Sequence, residues 1–302
     1  MSEPKRALVL SGGGSNGSYQ VGALQALAEH RRKWHSVHGI SVGALNASWI
    51  AMFPPDEQAD NMHGLLNIWN NIHSTADIYT PWSSIKPINY LYSMRKGSLY
   101  SGAPLRALVQ KFLDKQQIRQ SKTLLTVGCV NLHSGEYVVI PGNHEQIGEY
   151  ILASSHLPLI FEPIEIDGQK WVDGGIRHQV PILEALKERP DEIDVILTTP
   201  IATRERIGEE YNLLSAPRVA LRASEIMSDQ IYIMDCYTAL RAAKTIENTK
   251  INIFIPSRIP NPDSMVFHKD SIKKAIICGY EETQKQLLQT LSIIDEDKKI
   301  FV

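Results

Sequence analysis

Twice within its first 53 residues the chain runs an apolar stretch into a glycine-bearing turn and out into a helix-spaced segment. Residues 7–11, ALVLS, meet Gly12-Gly13-Gly14-Ser15-Asn16-Gly17, and Val21, Leu24, Leu27 and Ala28 then fall at helical spacing through residues 18–30. Residues 36–40 lead into Gly39-Ile40-Ser41-Val42-Gly43, and residues 44–53 read as a second helix stopped by Pro54-Pro55. Strand, turn, helix, repeated in this way, is the order of an α/β chain with a parallel sheet.

Further along, residues 123–132 and 136–140 read as strands around His133-Ser134-Gly135. Residues 163–166 and 170–173 flank Asp167-Gly168, a hairpin turn signal. Residues 194–199 (DVILTT) and 251–256 (INIFIP) read as strands, 214–248 as mainly helical, and 271–291 as a final helix. With no repeat or low-complexity linker, one domain over residues 1–302 is expected, with a core at 5–200 and a helix-and-strand extension at 201–302. A chain of this length with 43% apolar residues can bury such a core. Residues 78–100 stand apart. Tyr79, Trp82, Tyr90, Tyr92 and Tyr100 alternate with Lys86, Arg95 and Lys96, while Pro81 and Pro87 interrupt regular structure. Aromatic rings favour a bilayer's headgroup zone, but a loop packed by its own aromatics has the same composition and is the expectation here.

A net charge of −2 argues against a nucleic-acid partner. The three cysteines, Cys129, Cys236 and Cys278, are widely spaced with no CxxC, which points away from a disulfide framework or zinc site and toward a reducing compartment. No apolar run reaches membrane-spanning length, and residues 7–10 are too short for a signal-peptide core. The expectation is a cytoplasmic protein that visits membranes peripherally. Arg31-Arg32-Lys33, after the first helix, reads as a complement to its dipole.

Three motifs carry chemistry. The first glycine string gathers backbone N–H groups at a helix N-terminus, a setting for a phosphate or an oxyanion. It also fits G-x-G-x-x-G, but the dinucleotide reading needs an acidic residue after the second strand, and SVHGI leads to none. The second motif is a G-x-S-x-G elbow in its required strand–turn–helix setting, which would lift Ser41 into the open. Parallel neighbours lie about 4.8 Å apart, so adjacent strands would aim the first loop's amides at the space above Ser41. The third is Asp173-Gly174-Gly175 at a strand end; from these residues alone, a turn cap and a catalytic carboxylate are both open.

Together these motifs resemble the patatin-like phospholipase family. Ala153-Ser154-Ser155, Leu157-Pro158, Phe161-Glu162-Pro163, Ile166-Asp167-Gly168 and Val172-Asp173-Gly174-Gly175, followed by Pro181, extend the likeness over residues 5–200. The C-terminal third resembles the family only through the Gly279-Tyr280 helix. The resemblance implies a three-layer α/β/α fold and a Ser41–Asp173 dyad. It also implies an oxyanion hole from Gly12, Gly13 and Gly14, Gly39 and Gly43 shaping the elbow, and Gly174 and Gly175 behind the aspartate. No metal and no cofactor are implied; the partners would be a lipid ester and, transiently, a membrane or micelle surface. One position departs: Asn16 stands where the family usually has Arg or Lys, leaving phospholipid, neutral lipid and simpler esters all open. Rival readings are a Ser-His-Asp esterase using His268 with Asp173 or Asp235, and a lipid- or acyl-binding module without turnover. His178 is a further candidate for substrate contact.

Overall fold

The computed structural model describes residues 3–200, 216–246, 248–258, 260–261 and 263–299. Its strands are β1 (Arg6–Leu10), β2 (Ser36–Gly39), β3 (Thr80–Pro81), β4 (Tyr100–Ser101), β5 (Leu124–Asn131), β6 (Tyr137–Pro141), β7 (Ile164–Ile166), β8 (Gln169–Asp173), β9 (Glu192–Ile196) and β10 (Lys250–Phe254). Its helices are α1 (Gly17–Glu29), α2 (Val42–Ala51), α3 (Gln58–Asn70), α4 (Lys86–Lys96), α5 (Ala103–Phe112), α6 (Lys115–Gln120), α7 (Ile147–Ser154), α8 (Ile182–Lys187), α9 (Ala216–Thr245) and α10 (Lys269–Lys299).

Eight strands form one sheet in which β10, β9, β1, β2 and β5 run parallel, while β6, β7 and β8 join antiparallel. Strand alternation explains why β1 is apolar from Ala7 to Leu10: Leu8 and Leu10 enter one core cluster, Ala7 and Val9 the other. The larger cluster draws on α1, α2, α3 and α10, the smaller on α8 and α9. Helices therefore cover both faces of a mostly parallel sheet.

The two early βα units and the hairpin lie where the sequence places them; Asp167 and Gly168 have φ of 50° and 71°, as a tight hairpin turn needs. β9 begins earlier than expected, so Thr198 and Thr199 lie beyond its end, buried at the rim of the sheet. Of the expected helical stretch 214–248, α9 covers most, while 214–215 and 247 are outside the described residues. The plain loop expected at 78–100 is corrected: it holds α4, flanked by the paired strands β3 and β4. Pro87 sits in the first turn, where its missing N–H breaks no helical bond, and Gly97 in the left-handed region ends the helix. The proline read as a breaker is a starter. The basic run is also more engaged than a dipole partner: Arg32 bonds to Glu192 at 3.0 Å and to buried Asp194 at 2.8 Å.

One register detail positions the site. A strand has two edges, and β6 occupies one edge of β5 across Thr126 to Val130. On the other edge β2 pairs parallel as far as Gly39 opposite Val127, and β8 pairs antiparallel from Asn131 to Cys129, opposite Asp173. The carboxyl ends of β2 and β8 thus meet head-on, one residue of β5 apart, at Gly128.

Candidate active site

Ser41 follows β2 after Ile40 and caps α2 with φ 57° and ψ −129°, a conformation that costs free energy for a residue with a Cβ. The close packing around it explains the flanking glycines. A Cβ on Gly39 would strike the Gly43 carbonyl, and one on Gly43 would strike the Leu10 carbonyl. The elbow's N-terminal side is braced from α7: Ser154 Oγ accepts the Ser41 N–H at 3.1 Å and donates to the Gly128 carbonyl at 2.7 Å.

Asp173 ends β8 on the facing side of Gly128. It is 3% exposed, and it accepts the Gly175 N–H at 2.7 Å. Burial pushes its carboxyl up to about 7, against the opposing pull of hydrogen bonds from the Ser41 hydroxyl and the Gly175 amide. Gly174 lets β8 approach, since a Cβ there would meet the Gly128 carbonyl. Serine and aspartate, distant in the chain, are therefore brought together at one cavity, the Ser41 hydroxyl close enough to the carboxyl to favour its charged form.

The glycine loop after β1 adjoins them. Gly12 lies so close that a Cβ on it would sit 3.3 Å from the Ser41 Cβ. Its own N–H, however, is engaged by the Gln179 carbonyl at 3.0 Å. Gly12 therefore does not offer a free donor, which corrects the expected set of three: a neighbouring loop had already claimed it. The N–H groups of Gly13 and Gly14 have no acceptor among the described residues. Thr198 Oγ1 donates to the Gly12 carbonyl at 2.6 Å, and because a trans peptide opposes its C=O and N–H, the Gly13 N–H is directed away from Thr198. Gly13 and Gly14 take φ of 149° and 55°, which a residue with a side chain rarely adopts.

Asn16 does not line the cavity. It is buried, donates to the Asn261 carbonyl at 3.2 Å and accepts the Asn261 N–H at 2.7 Å, so it ties the segment before α10 onto the glycine loop. That segment closes further through Ser15 N–H on the Ser264 carbonyl, 2.8 Å.

Ser41, Asp173, Gly13 and Gly14 open onto one cavity of about 210 Å³. Its inner wall is apolar, built by Leu45, Trp49, Leu65, Trp69, Leu108 and Phe112 from α2, α3 and α5. Its other wall, from α9 and the segment before α10, is polar, carrying Ser224, Glu225, Ser228, Asp229, Asp263 and Ser264. Such a shape accepts a molecule apolar along its length and polar at one end.

The profile of the patatin-like phospholipase family matches residues 8–186. The chain belongs to that family. Membership places it, at family level, among lipid acyl hydrolases. A relative in Bacillus subtilis (strain 168), the uncharacterized protein YqhO, is 25% identical over 73% of this chain and 79% of its own length. Human patatin-like phospholipase domain-containing protein 4 is 26% identical over 55% of this chain, which matches 63% of it. Among solved structures, VipD from Legionella pneumophila aligns with 96% of the chain and 67% of its own, at TM-score 0.46 and 17% identity. Human GIVD cytosolic phospholipase A2 aligns with 96% of the chain and 62% of its own, at TM-score 0.49 and 11% identity.

The geometry does not support the histidine readings in this family member. His268 stands exposed at the start of α10, accepting the Asp270 N–H, and no histidine lines the cavity among the described residues. Asp235, its supposed partner, accepts the amides of Gln179 and Val180. His178 packs edge-on against Tyr137, 3.5 Å from Asp235, and does not line the cavity. His268→Ala is expected to keep ester hydrolysis within about twofold of wild type, as an exposed substitution should; a large loss of kcat would restore the triad. Ser154, Gln179, Thr198 and Asn261 went unread as site residues. Only Ser154 had a signal, in the Ala153-Ser154-Ser155 string.

Proposed function

We propose that this protein hydrolyses carboxylic esters of long-chain lipids through an acyl-Ser41 intermediate, with Asp173 as its general base and acid. The observation that carries the reading is the meeting of the β2 and β8 ends on β5, which sets Ser41 and the buried Asp173 carboxylate at one cavity, where burial pushes that carboxyl up to about 7. A solvated carboxylate near its usual value would be a poor base at pH 7.

In the proposed sequence the Ser41 oxygen attacks the acyl carbonyl as Asp173 takes its proton. The oxyanion that forms is held by the Gly13 and Gly14 amides, and losing one such donor typically costs about 10²–10³-fold in rate. Collapse expels the alcohol, which carries away the proton held by Asp173. Water then enters, gives a proton to Asp173 and attacks the acyl-Ser41 ester, and that proton returns to the Ser41 oxygen as the fatty acid leaves. The apolar wall would hold the acyl chain. The polar wall would meet the polar end, so long-chain esters should outcompete short ones through binding of the chain.

Fluorophosphonate labelling tests the nucleophile. A long-chain alkyl fluorophosphonate should add its phosphonyl mass to Ser41, with no labelling of Ser41→Ala. An unlabelled wild-type protein would leave only the lipid-binding reading, and label on another serine would remove Ser41 as the nucleophile.

A further inference from the structure

α4 wears its apolar side chains outward. Its only residues turned partly toward the protein are Asn89 and Ser93, one turn apart. Asn89 Oδ1 accepts the Ser83 N–H at 3.2 Å, and Ser93 Oγ donates to the Asn89 carbonyl at 2.9 Å. Ile88, Tyr90, Leu91, Tyr92 and Met94 face out, with Leu91 66% and Met94 67% exposed. No residue of α4 is buried. A surface helix of a water-soluble protein ordinarily shows the reverse pattern, and a helix this short gains little stability from propensity alone. A contiguous apolar patch of this kind marks a contact surface.

Charge says which surface. Between Asp77 and Asp114 the sequence has no acidic residue, while Lys86 opens α4 and Arg95 and Lys96 close it. None of the three has a salt bridge among the described residues. A second copy is a poor fit, since two-fold pairing along this helix would set cations against cations.

Position adds a third argument. The arm bearing α4 grows out of the cavity wall: Leu99 and Tyr100 donate their N–H groups to the Leu159 and Ile160 carbonyls at 2.7 and 3.0 Å, beside cavity-lining Leu157 and Phe161. On its other side, the Leu105 N–H bonds to the Ile78 carbonyl at 3.0 Å, and both residues line the cavity.

We propose that α4 docks this protein on anionic lipid bilayers. Ile88, Leu91 and Met94 enter the boundary between headgroups and acyl chains, while Lys86, Arg95 and Lys96 meet the lipid phosphates. Docking there brings the cavity beside the bilayer. Its link to substrate rests on the proposed lipid-ester hydrolysis; docking itself does not.

The test uses full-length Ser41→Ala protein, so no lipid is consumed, with phosphatidylcholine vesicles lacking or containing phosphatidylglycerol. Co-flotation should require phosphatidylglycerol and weaken as salt rises. Combining Lys86→Gln, Arg95→Gln and Lys96→Gln should cut partitioning on the order of a hundredfold. Ile88→Asp with Leu91→Asp should abolish it. In the wild-type background, both sets should retain hydrolysis of a water-soluble short-chain ester, which reports a folded protein. Absent flotation, or flotation unchanged in both variants, would overturn docking. So would light scattering that shows a dimer dispersed by Leu91→Asp, which would hand the face to a second copy. Vesicle binding by a protein that never turns over ester would instead remove the hydrolase reading and leave docking standing.

Discussion

Ser41→Ala and Asp173→Asn each lower kcat/KM for a long-chain ester by about 10⁴-fold or more, and combining them costs little beyond either alone. Residues that act as one unit give such non-additive losses. Neither replacement changes the apolar wall, so KM should move far less than kcat. In the wild type, kcat/KM should rise tenfold per pH unit from acid and level off above about pH 7, because only ionised Asp173 accepts the serine proton. A pH–rate series with both variants measures all of this. An inflection near pH 4 would mean a solvated carboxylate, and an Asp173→Asn variant that keeps its rate would end the dyad.

The parts of this site that were legible in the sequence are those that local chemistry alone dictates. Gly39 and Gly43 bracket a serine because α2 packs against carbonyls of β1 and of its own turn, and no other residue fits. Asp167-Gly168 announces its hairpin because both residues must take positive φ. The order of the early βα units followed from the spacing of apolar residues. Where one element meets another, the sequence was silent. Nothing local says that β2 and β8 share an edge of β5, although that shared edge is what brings Asp173 to Ser41. Gly12 looks like a donor until the Gln179 carbonyl arrives from a loop far along the chain. Thr198 reads as one more strand residue until β9 proves to stop short of it. Pro87 is ambiguous by nature, since the same ring that breaks a helix interior suits a first turn. Asn16 illustrates the limit most directly. Its departure from the family pattern reads as a missing charge in sequence, whereas in the fold it is an amide pairing that fastens the segment before α10 to the glycine loop.

Asp173→Asn should also make the protein more stable while it abolishes turnover. A buried carboxylate held on a strand end is an expense of function, because folding moves its charge out of water. The folded group binds its proton up to about pH 7, against about 3.8 for an aspartate in water. Below the lower value both states are protonated and this group contributes nothing. Between the two values the folded state binds more protons, so stability falls as pH rises. Above about 7 the whole penalty is present, and it amounts to at most about 4 kcal/mol at 1.36 kcal/mol per unit. Asparagine keeps the shape, its oxygen can still accept the Gly175 N–H, and its NH₂ can donate to the Ser41 oxygen, with no charge to bury. Thermal melts at pH 8 should therefore show Asp173→Asn several degrees above wild type, and the gap should close as the pH is lowered toward 4. A gap independent of pH would mean that the carboxyl is not ionising within the fold. A variant less stable at pH 8 would mean that the Ser41 and Gly175 hydrogen bonds outweigh the burial of charge.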